Sequence, residues 1–321
     1  MSQYGWAGYR YGANRESSLW QNVDRTFTWR RSFVELSVAI SQVLNGIAFG
    51  MLLFLLAAGL SLMFGLMGIV NLAHGSYFMV GGYVGLTLLE ATDSFFLGIL
   101  GGAATGAFLG FLTERFLMRR VYGLRDHESI LLTFALSLVL SDLSLFLWTG
   151  TPRWVQPPSF LDFSFTLLGS PYPAYRLAII LIGMAVFMTV YWFQERTLWG
   201  AIVRAGVDDK ETTAGLGINI LLVFTLVFCF GAFLAGFGGF VGAPILGLHI
   251  GLDVEIIMLA LAVVIVGGIG SLPGCLAICL LLGLSNTLGK VLWPGYASLT
   301  IYLVVVIVLL VKPSGLFGKG N

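Results

Sequence analysis

Long apolar runs with almost no charge recur along this chain, and they limit the folds that it can adopt. Asp, Glu, Lys and Arg make up 10% of the residues and hydrophobic types 58%, whereas charged residues are ~25% of an average soluble domain. A soluble fold of this length needs a larger polar surface. The sequence therefore predicts an all-α, polytopic integral membrane helical bundle.

The apolar runs give about eight full candidate spans, each near the ~20 residues that a bilayer-crossing helix needs. They are residues 36–58, 94–115, 129–149, 174–194, 220–243, 256–271, 274–290 and 297–311. Segment 59–90 is also apolar, but it contains glycines, Asn71 and His74. We predict that it is a re-entrant or broken-helix segment within a transmembrane domain of residues 36–318.

Lys and Arg in short loops indicate which ends of the spans face the cytoplasm. The hydrophilic N-terminal extension 1–35 contains Arg residues, and loops 114–128 and 195–219 also contain Arg, with Lys210 in the second. All three are predicted to be cytoplasmic. Loops 150–173 and 245–255 are predicted to lie outside, and the second carries acidic residues without Lys or Arg. Those acidic residues are Asp253 and Glu255.

The number of crossings must agree with these sides. Placing 1–35 and 114–128 on the same side requires an even number of crossings between them. The clear spans there are 36–58 and 94–115, so segment 59–90 is predicted to cross zero times or twice. A dip that enters the membrane and returns fits its length. The alternative is an external N-terminus, against which the arginines of the extension argue.

Two polar features lie within the apolar regions. Asn71 and His74 are costly in a bilayer unless they face a partner or a water-filled path. They indicate either a broken helix beside a translocation path or a polar pair that ties two helices together. Asp142, inside the span 129–149, is interpreted either as a substrate- or proton-binding carboxylate or as a group near the outer interface. No nucleophile–base or metal-ligand set accompanies these residues, so an enzyme is not predicted.

The loop 198–219 is the longest polar stretch between clear spans. A short amphipathic helix there would present Arg204, Asp208 and Glu211 or Thr212 along one side. It is either a docking element for a cytoplasmic partner or a solvated interhelical loop.

The chain has no nucleotide-binding motif of its own. The glycine-rich turn Gly267–Gly274 is followed by no Lys, and Gly283–Lys290 lacks the P-loop spacing. If transport uses ATP, another subunit must supply it. The net charge of +1 gives no indication of nucleic acid as a partner.

Two weak patterns concern packing and repeats. Residues 50–75 and 231–251 are both Gly-rich apolar runs that end in a His followed closely by Gly. Transporters often contain inverted repeats, but this similarity alone does not establish one. Several Gly pairs at GxxxG spacing, together, favour a tightly packed bundle.

Four segments together resemble the LivH-type permeases of ATP-binding-cassette (ABC) importers for branched-chain amino acids. Phe64–Gly75 resembles the family's N-terminal signature, and the stretch from Arg204 to Asn219 resembles its cytoplasmic coupling loop. Gly267–Gly274 is similar to its late glycine turn, and Lys312–Gly318 to its C-terminal motif.

The resemblance implies a type II ABC importer-like permease subunit that moves branched-chain or related amino acids across the inner membrane, without enzymatic activity or a cofactor. It implies a LivM-like second permease subunit, two cytoplasmic ABC ATPases and a periplasmic substrate-binding protein as partners, within membrane lipid. The predicted path residues are Asn71, His74, Gly75 and Asp142. The predicted ATPase coupling-loop residues are Arg204, Ala205, Asp209, Thr213, Gly217, Ile218 and Asn219.

The sequence departs from the family pattern in two places. Ser76 stands where the family usually has an acidic residue after His-Gly, and the extension 1–35 is longer than usual. The first departure leaves a urea or short-amide permease as an alternative. A self-sufficient channel or ion-coupled carrier is a further alternative, which predicts uptake by this chain alone.

Overall fold

The computed structural model describes residues 13–122, 126–167, 170–312 and 315–317, with side chains from position 37 onward except at 126, 207, 208, 210, 297 and 298. Most of the described residues are helical. The strands among them form one short antiparallel hairpin, β1 (Ser164–Leu167) with β2 (Ser170–Pro173). The predicted all-α class is confirmed.

The α-helices of the described residues are numbered in chain order. They are α1 (Ala13–Met67), α2 (His74–Thr92), α3 (Phe95–Leu112), α4 (Arg119–Val121), α5 (Asp126–Trp148), α6 (Ala174–Arg196), α7 (Leu198–Asp208), α8 (Lys210–Gly215), α9 (Ile220–Leu246), α10 (Leu252–Gly267), α11 (Leu272–Leu292) and α12 (Ala297–Val311). A π-helical segment, Thr113–Met118, joins α3 to α4.

Within the described part of the chain, 6 helical segments are long and apolar enough to cross a membrane. They are Ser37–Met67, Phe95–Val121, His127–Trp148, Ala174–Arg196, Ile220–Leu246 and Leu272–Leu292. The predicted spans 256–271 and 297–311 correspond to α10 and α12, which have only 16 and 15 residues. The predicted total of about eight full spans stays a prediction.

Contacts along α1 identify the two ends of the bundle. Ser37 Oγ lies 2.8 Å from Ser170 Oγ of β2, and this end is termed the hairpin end. Near the other limit of α1, Gly65 packs on Gly270 and Leu66 lies beside Gly206 of α7. This is termed the α7 end. Helix α1 therefore crosses the bundle once between residue 37 and residue 67.

The start of α1 bears on the predicted sides of the membrane. α1 is continuous from Ala13, so most of the predicted extension 1–35 is helical and leads directly into the first span, while residues 1–12 lie outside the described part. From the charges in the sequence, this extension and the loop 150–173 were predicted to lie on opposite sides. Ser37 and Ser170 nevertheless share one end. This geometry fits the alternative of an external N-terminus, with an odd number of crossings between the N-terminus and loop 114–128.

Helices approach one another closely at glycines. A Cβ at Gly236 of α9 would lie 2.2 Å from the carbonyl oxygen of Gly102 in α3. A Cβ at Gly59 of α1 would lie 2.5 Å from the carbonyl oxygen of Gly231 in α9. Such approaches are possible only without side chains, as in small-residue interfaces of membrane helices. The tight packing that the glycine spacing predicted is present.

The two halves of the chain repeat one arrangement in opposite directions. In each half a long helix (α1 or α9) is followed by a break, a shorter helix (α2 or α10) and a further helix (α3 or α11). α1 runs from the hairpin end to the α7 end, and α9 runs the other way, since Val241 near its end accepts a hydrogen bond from Tyr175 OH beside β2. α3 packs against α9 as α11 packs against α1. The weakly similar segments 50–75 and 231–251 are the matching ends of α1 and α9 with their breaks.

Candidate functional site

The break between α1 and α2 is held by side chains. Gly68 has a φ of 70°, a left-handed conformation that glycine adopts without strain. Asn71 Oδ1 accepts the backbone N–H of Ala73 at 3.1 Å, and Thr133 Oγ1 of α5 accepts the N–H of Leu72 at 3.2 Å. Non-helical backbone is tolerated at membrane depth where protein groups satisfy it. The predicted broken helix is therefore present, between Gly68 and Ala73.

His74 opens α2 from inside the bundle. It is fully buried, and its Nε2 lies 3.1 Å from the carbonyl oxygen of Leu56 in α1. Because a carbonyl oxygen only accepts hydrogen bonds, Nε2 is assigned the proton and Nδ1 the lone pair. Nδ1 has no hydrogen-bond partner among the described residues. His74 thus ties the start of α2 to the middle of α1, as one of the two sequence interpretations proposed.

The first turns of α2 and α10 touch each other. A Cβ at Gly75 would lie 2.2 Å from the carbonyl oxygen of Asp253 and 2.9 Å from Ile257 Cβ. Ser76 Oγ donates a hydrogen bond of 3.1 Å to Asp253 Oδ2. Asp253 is only 2% exposed, and its Oδ1 has no partner in the described part of the chain. Two helix N-termini and one carboxylate therefore meet inside the bundle.

Helix α10, like α2, begins after a break in the chain that contains a glycine with positive φ. The chain leaves α9 at Gly247 and begins α10 after Gly251, and both glycines have positive φ, 71° and 97°. Between them Leu248 exchanges two backbone hydrogen bonds of 2.8 Å with Arg153. A segment of the α5–α6 loop therefore covers this break from the hairpin end.

The structure assembles only part of the predicted path. Asn71, His74 and Gly75 lie together, whereas Asp142 is on an exposed face of α5. The buried carboxylate beside them is Asp253, which the sequence had predicted to lie in an outer loop. The available signal was Gly251 shortly before Asp253, because a glycine followed by an acidic residue and an apolar run marks a helix start.

A small polar cavity of about 180 Å³ opens near the hairpin end between α1, α6, α9 and α11. Its lining includes Asn45, Arg176, Asn286 and Lys290, and Arg176 donates to the side-chain oxygen of Asn45. The cavity therefore brings polar and charged side chains of α1, α6 and α11 together at the hairpin end.

The predicted coupling loop forms two helices, α7 and α8, where one was expected. Thr197 Oγ1 caps α7 by accepting the N–H of Gly200 at 3.1 Å. Arg204 donates to the carbonyl oxygen of Gln194 near the end of α6 and lies 3.8 Å from Glu195. A cation at a helix C-terminus is favourable, so Arg204 holds α7 against α6. Ala205, next to it, is half-buried.

Asp209 separates α7 from α8 and caps the second. Its Oδ1 accepts the N–H groups of Glu211 and Thr212, each at 3.0 Å. The Thr212 hydroxyl, and then these backbone N–H groups, hold the pKa of the Asp209 carboxyl below its usual value. Thr213 is buried, and its hydroxyl donates to the carbonyl oxygen of Asp209 at 2.7 Å.

The end of the loop is also defined by its side chains. Gly217 has a φ of 84°, so the turn after α8 requires a left-handed residue. Asn219 Oδ1 caps α9 by accepting the N–H of Leu222 at 3.1 Å, and Ile218 between them packs on the apolar core. The predicted coupling-loop residues therefore shape one compact element at the α7 end. No group of three His, Cys, Asp or Glu side chains suited to a metal ion occurs among the described residues.

Comparison with known proteins adds to this geometry. The family described as "Branched-chain amino acid transport system / permease component" matches residues 42–310. The high-affinity branched-chain amino acid transport system permease proteins BraD of Pseudomonas aeruginosa and LivH of Escherichia coli are 28% and 26% identical to this chain. Each alignment covers 87% of this chain and 96% of the relative.

Two further likenesses are more distant. The L-arabinose ABC transporter permease protein AraH of Azospirillum brasilense is 25% identical over 84% of this chain and 81% of the relative. The solved structure of "PsaBC from Streptococcus pneumoniae in complex with Fab" matches with a TM-score of 0.50 and 12% identity. That match covers 88% of this chain and 94% of the other, and it indicates a shared fold alone.

Proposed function

Because this chain belongs to the branched-chain amino acid transport system permease family, we propose that it carries branched-chain or related amino acids across the inner membrane. It is a multi-pass membrane protein and the permease subunit of an ABC importer. The observation that carries the proposal is the family match over residues 42–310. This match spans both broken helices and the α7–α8 element.

The proposed path passes the first turns of α2 and α10. Transporters built from inverted repeats bind substrate near the membrane midplane, where discontinuous helices end. Asn71, His74 and Gly75 lie at such a point in this bundle. Asp142 joins the path if a second permease subunit covers the exposed face of α5.

The proposed docking surface for the ATPases is the α7–α8 element. Leu198, Trp199 and Leu216 expose 78%, 46% and 76% of their surface there, and exposed apolar groups at one loop favour an interaction site. We expect two cytoplasmic ATPases to bind this element and its counterpart on a LivM-like second permease. A periplasmic binding protein would deliver substrate at the hairpin end.

Affinity purification tests the assembly. The chain, tagged in the loop 150–173, is expected to retain a second permease and an ATPase. Reversing the charges of Arg204 and Asp209 together should reduce ATPase recovery and ATP-driven uptake, because both residues shape the docking element. Asp162→Lys is the matched control for ATPase recovery, since Asp162 is an exposed charge in the loop 150–173 at the hairpin end, away from α7 and α8. Normal recovery and uptake in the double variant would show that the coupling assignment is wrong.

Substrate uptake tests the transported class. The assembled complex, reconstituted in vesicles with its binding protein, is assayed with labelled leucine, isoleucine and valine, and with urea, acetamide and L-arabinose. The proposal expects ATP-dependent uptake of the amino acids. Uptake of urea or acetamide without that of leucine would replace it with the amide-permease alternative.

A further inference from the structure

The described residues contain two buried carboxylates, and their surroundings differ. Glu114 is fully buried, but it pairs with Arg119 at 3.1 Å and accepts a hydrogen bond from Thr225 at 2.8 Å. Asp253 is 2% exposed and forms no ion pair within the described part of the chain. A buried charge is costly unless it is paired and hydrogen-bonded. The first carboxylate is therefore structural, while the second is incompletely satisfied.

Two helix N-termini and one hydrogen bond stabilise the Asp253 carboxylate in part. It lies in the first turn of α10, against the first turn of α2, and helix N-termini favour negative charge. Ser76 donates one hydrogen bond to Oδ2. Oδ1 remains without a partner. The group that completes the site must therefore donate hydrogen bonds, and a positive charge would satisfy it best.

Asp253 lies about midway between the two ends of the bundle, at a depth that fits a substrate site. Its neighbour on α2, Gly75, follows His74, which bonds to Leu56 in the middle part of the α1 span. Both short helices start here and run to opposite ends of the bundle. This is the point where the two inverted halves of the chain meet, and where a carrier alternates between its two openings.

We propose that the Asp253 carboxylate binds the ammonium group of the transported solute, which makes α-amino acids, and not neutral amides or sugars, the substrate class of this chain. The inference rests on the proposed function and names the recognition group of that path. An ammonium group supplies three donors and a full positive charge to Oδ1. The backbone contact between Gly75 and Asp253 closes the site here, so α2 and α10 separate at their first turns when substrate passes.

The first experiment compares Asp253→Asn with Glu255→Gln in the complete reconstituted importer. Glu255 lies in the same helical turn but is exposed, beside His249. Leucine uptake by Asp253→Asn should fall roughly 10- to 100-fold, because a charge-assisted hydrogen bond is lost. Its KM, set mainly by the binding protein, should change little, and Glu255→Gln should transport normally. Wild-type uptake rates in Asp253→Asn would overturn the proposal.

The second experiment uses ligands alone and does not depend on how the variant folds. Thermal unfolding of the wild-type complex without binding protein is measured with L-leucine, 3-methylbutylamine and 4-methylpentanoate. The two compounds with an ammonium group should raise the melting temperature, and the carboxylate without one should not. Stabilisation by 4-methylpentanoate but not by the amine would overturn the proposal. Failure of the proposed function looks different, because wild type would then not import leucine at all.

Discussion

The glycine contact between α3 and α9 gives the sharpest structural prediction. Gly236→Ala places a Cβ 2.2 Å from the carbonyl oxygen of Gly102 and 3.0 Å from the backbone of Gly106. Ordinary carbon–oxygen contacts are about 3.3 Å or longer, so the two helices must separate by ~1 Å at this level. A side chain cannot relieve the clash, because the opposing atoms are backbone.

Overpacking of this kind costs about 1–3 kcal/mol. For a chain of this size that corresponds to a melting temperature lower by roughly 1.5–5 °C. The assay is thermal unfolding of the purified chain in detergent, followed by the loss of monodisperse protein. Because the contact lies between two long spans, the loss should appear in the main unfolding transition.

Gly101→Ala, in α3 at its contact with α2, is the matched control. A Cβ there meets only the end of the Leu88 side chain, which can turn to another rotamer at a cost of about 1 kcal/mol. Its melting temperature should fall by less than that of Gly236→Ala. An unchanged melting temperature in Gly236→Ala, or an equal loss in Gly101→Ala, would refute the reasoning.

Two further predictions concern charged groups. Glu114→Ala should destabilise the chain by about 2 kcal/mol or more, measured by thermal unfolding, because it leaves Arg119 and Thr225 without their buried acceptor; wild-type stability would contradict this. Asp209→Ala should speed amide exchange in α8, because the acceptor of the Thr212 N–H is removed. Hydrogen bonds hold the pKa of Asp209 below its usual value. The charged cap therefore stabilises α8 fully at any pH above the usual carboxyl pKa, and this stabilisation is lost as the pH falls through the lowered pKa. Near neutral pH the contribution of the Asp209 cap to the protection of the α8 amides from exchange should therefore stay constant.

Several spans could be predicted because apolar length alone determines them. The predicted span 174–194 and the observed α6, Ala174–Arg196, nearly coincide, as do 274–290 and α11. The break after α1 was also foreseeable, since Gly68 and Asn71 interrupt an apolar run. These features depend on neighbouring residues, and local composition is enough to reveal them.

The side of the N-terminus and the role of Asp253 depend on distant contacts instead. Arginines in the extension favoured a cytoplasmic start, but the position of Ser37 beside Ser170 is set by how α1 packs across the whole bundle. Asp253 looked like a loop residue because an acidic side chain in a short polar stretch usually faces water. Gly251 marks the helix start at Asp253, but the burial of Asp253 follows from the contact with Gly75, which is 178 positions earlier in the sequence and which no local pattern reveals.

The inverted arrangement was visible only as a faint similarity. The matching segments share glycines and a terminal His near Gly, but little else in sequence. What repeats is the packing of a long helix, a break and a short helix. Different residues satisfy each break, with Asn71 and Thr133 at one and the backbone of Arg153 at the other.

The central claim is that this chain is a permease that moves amino acids only as part of an ATP-driven complex. The most direct test is uptake of labelled leucine into two kinds of vesicle. One contains this chain alone, and the other contains the chain with its second permease, the ATPases and the binding protein. ATP is supplied on the side of the membrane that the ATPases face. The account predicts uptake by the complete complex, abolished without ATP, and none by the chain alone. Leucine uptake by the chain alone would contradict the account and establish a self-sufficient carrier or channel.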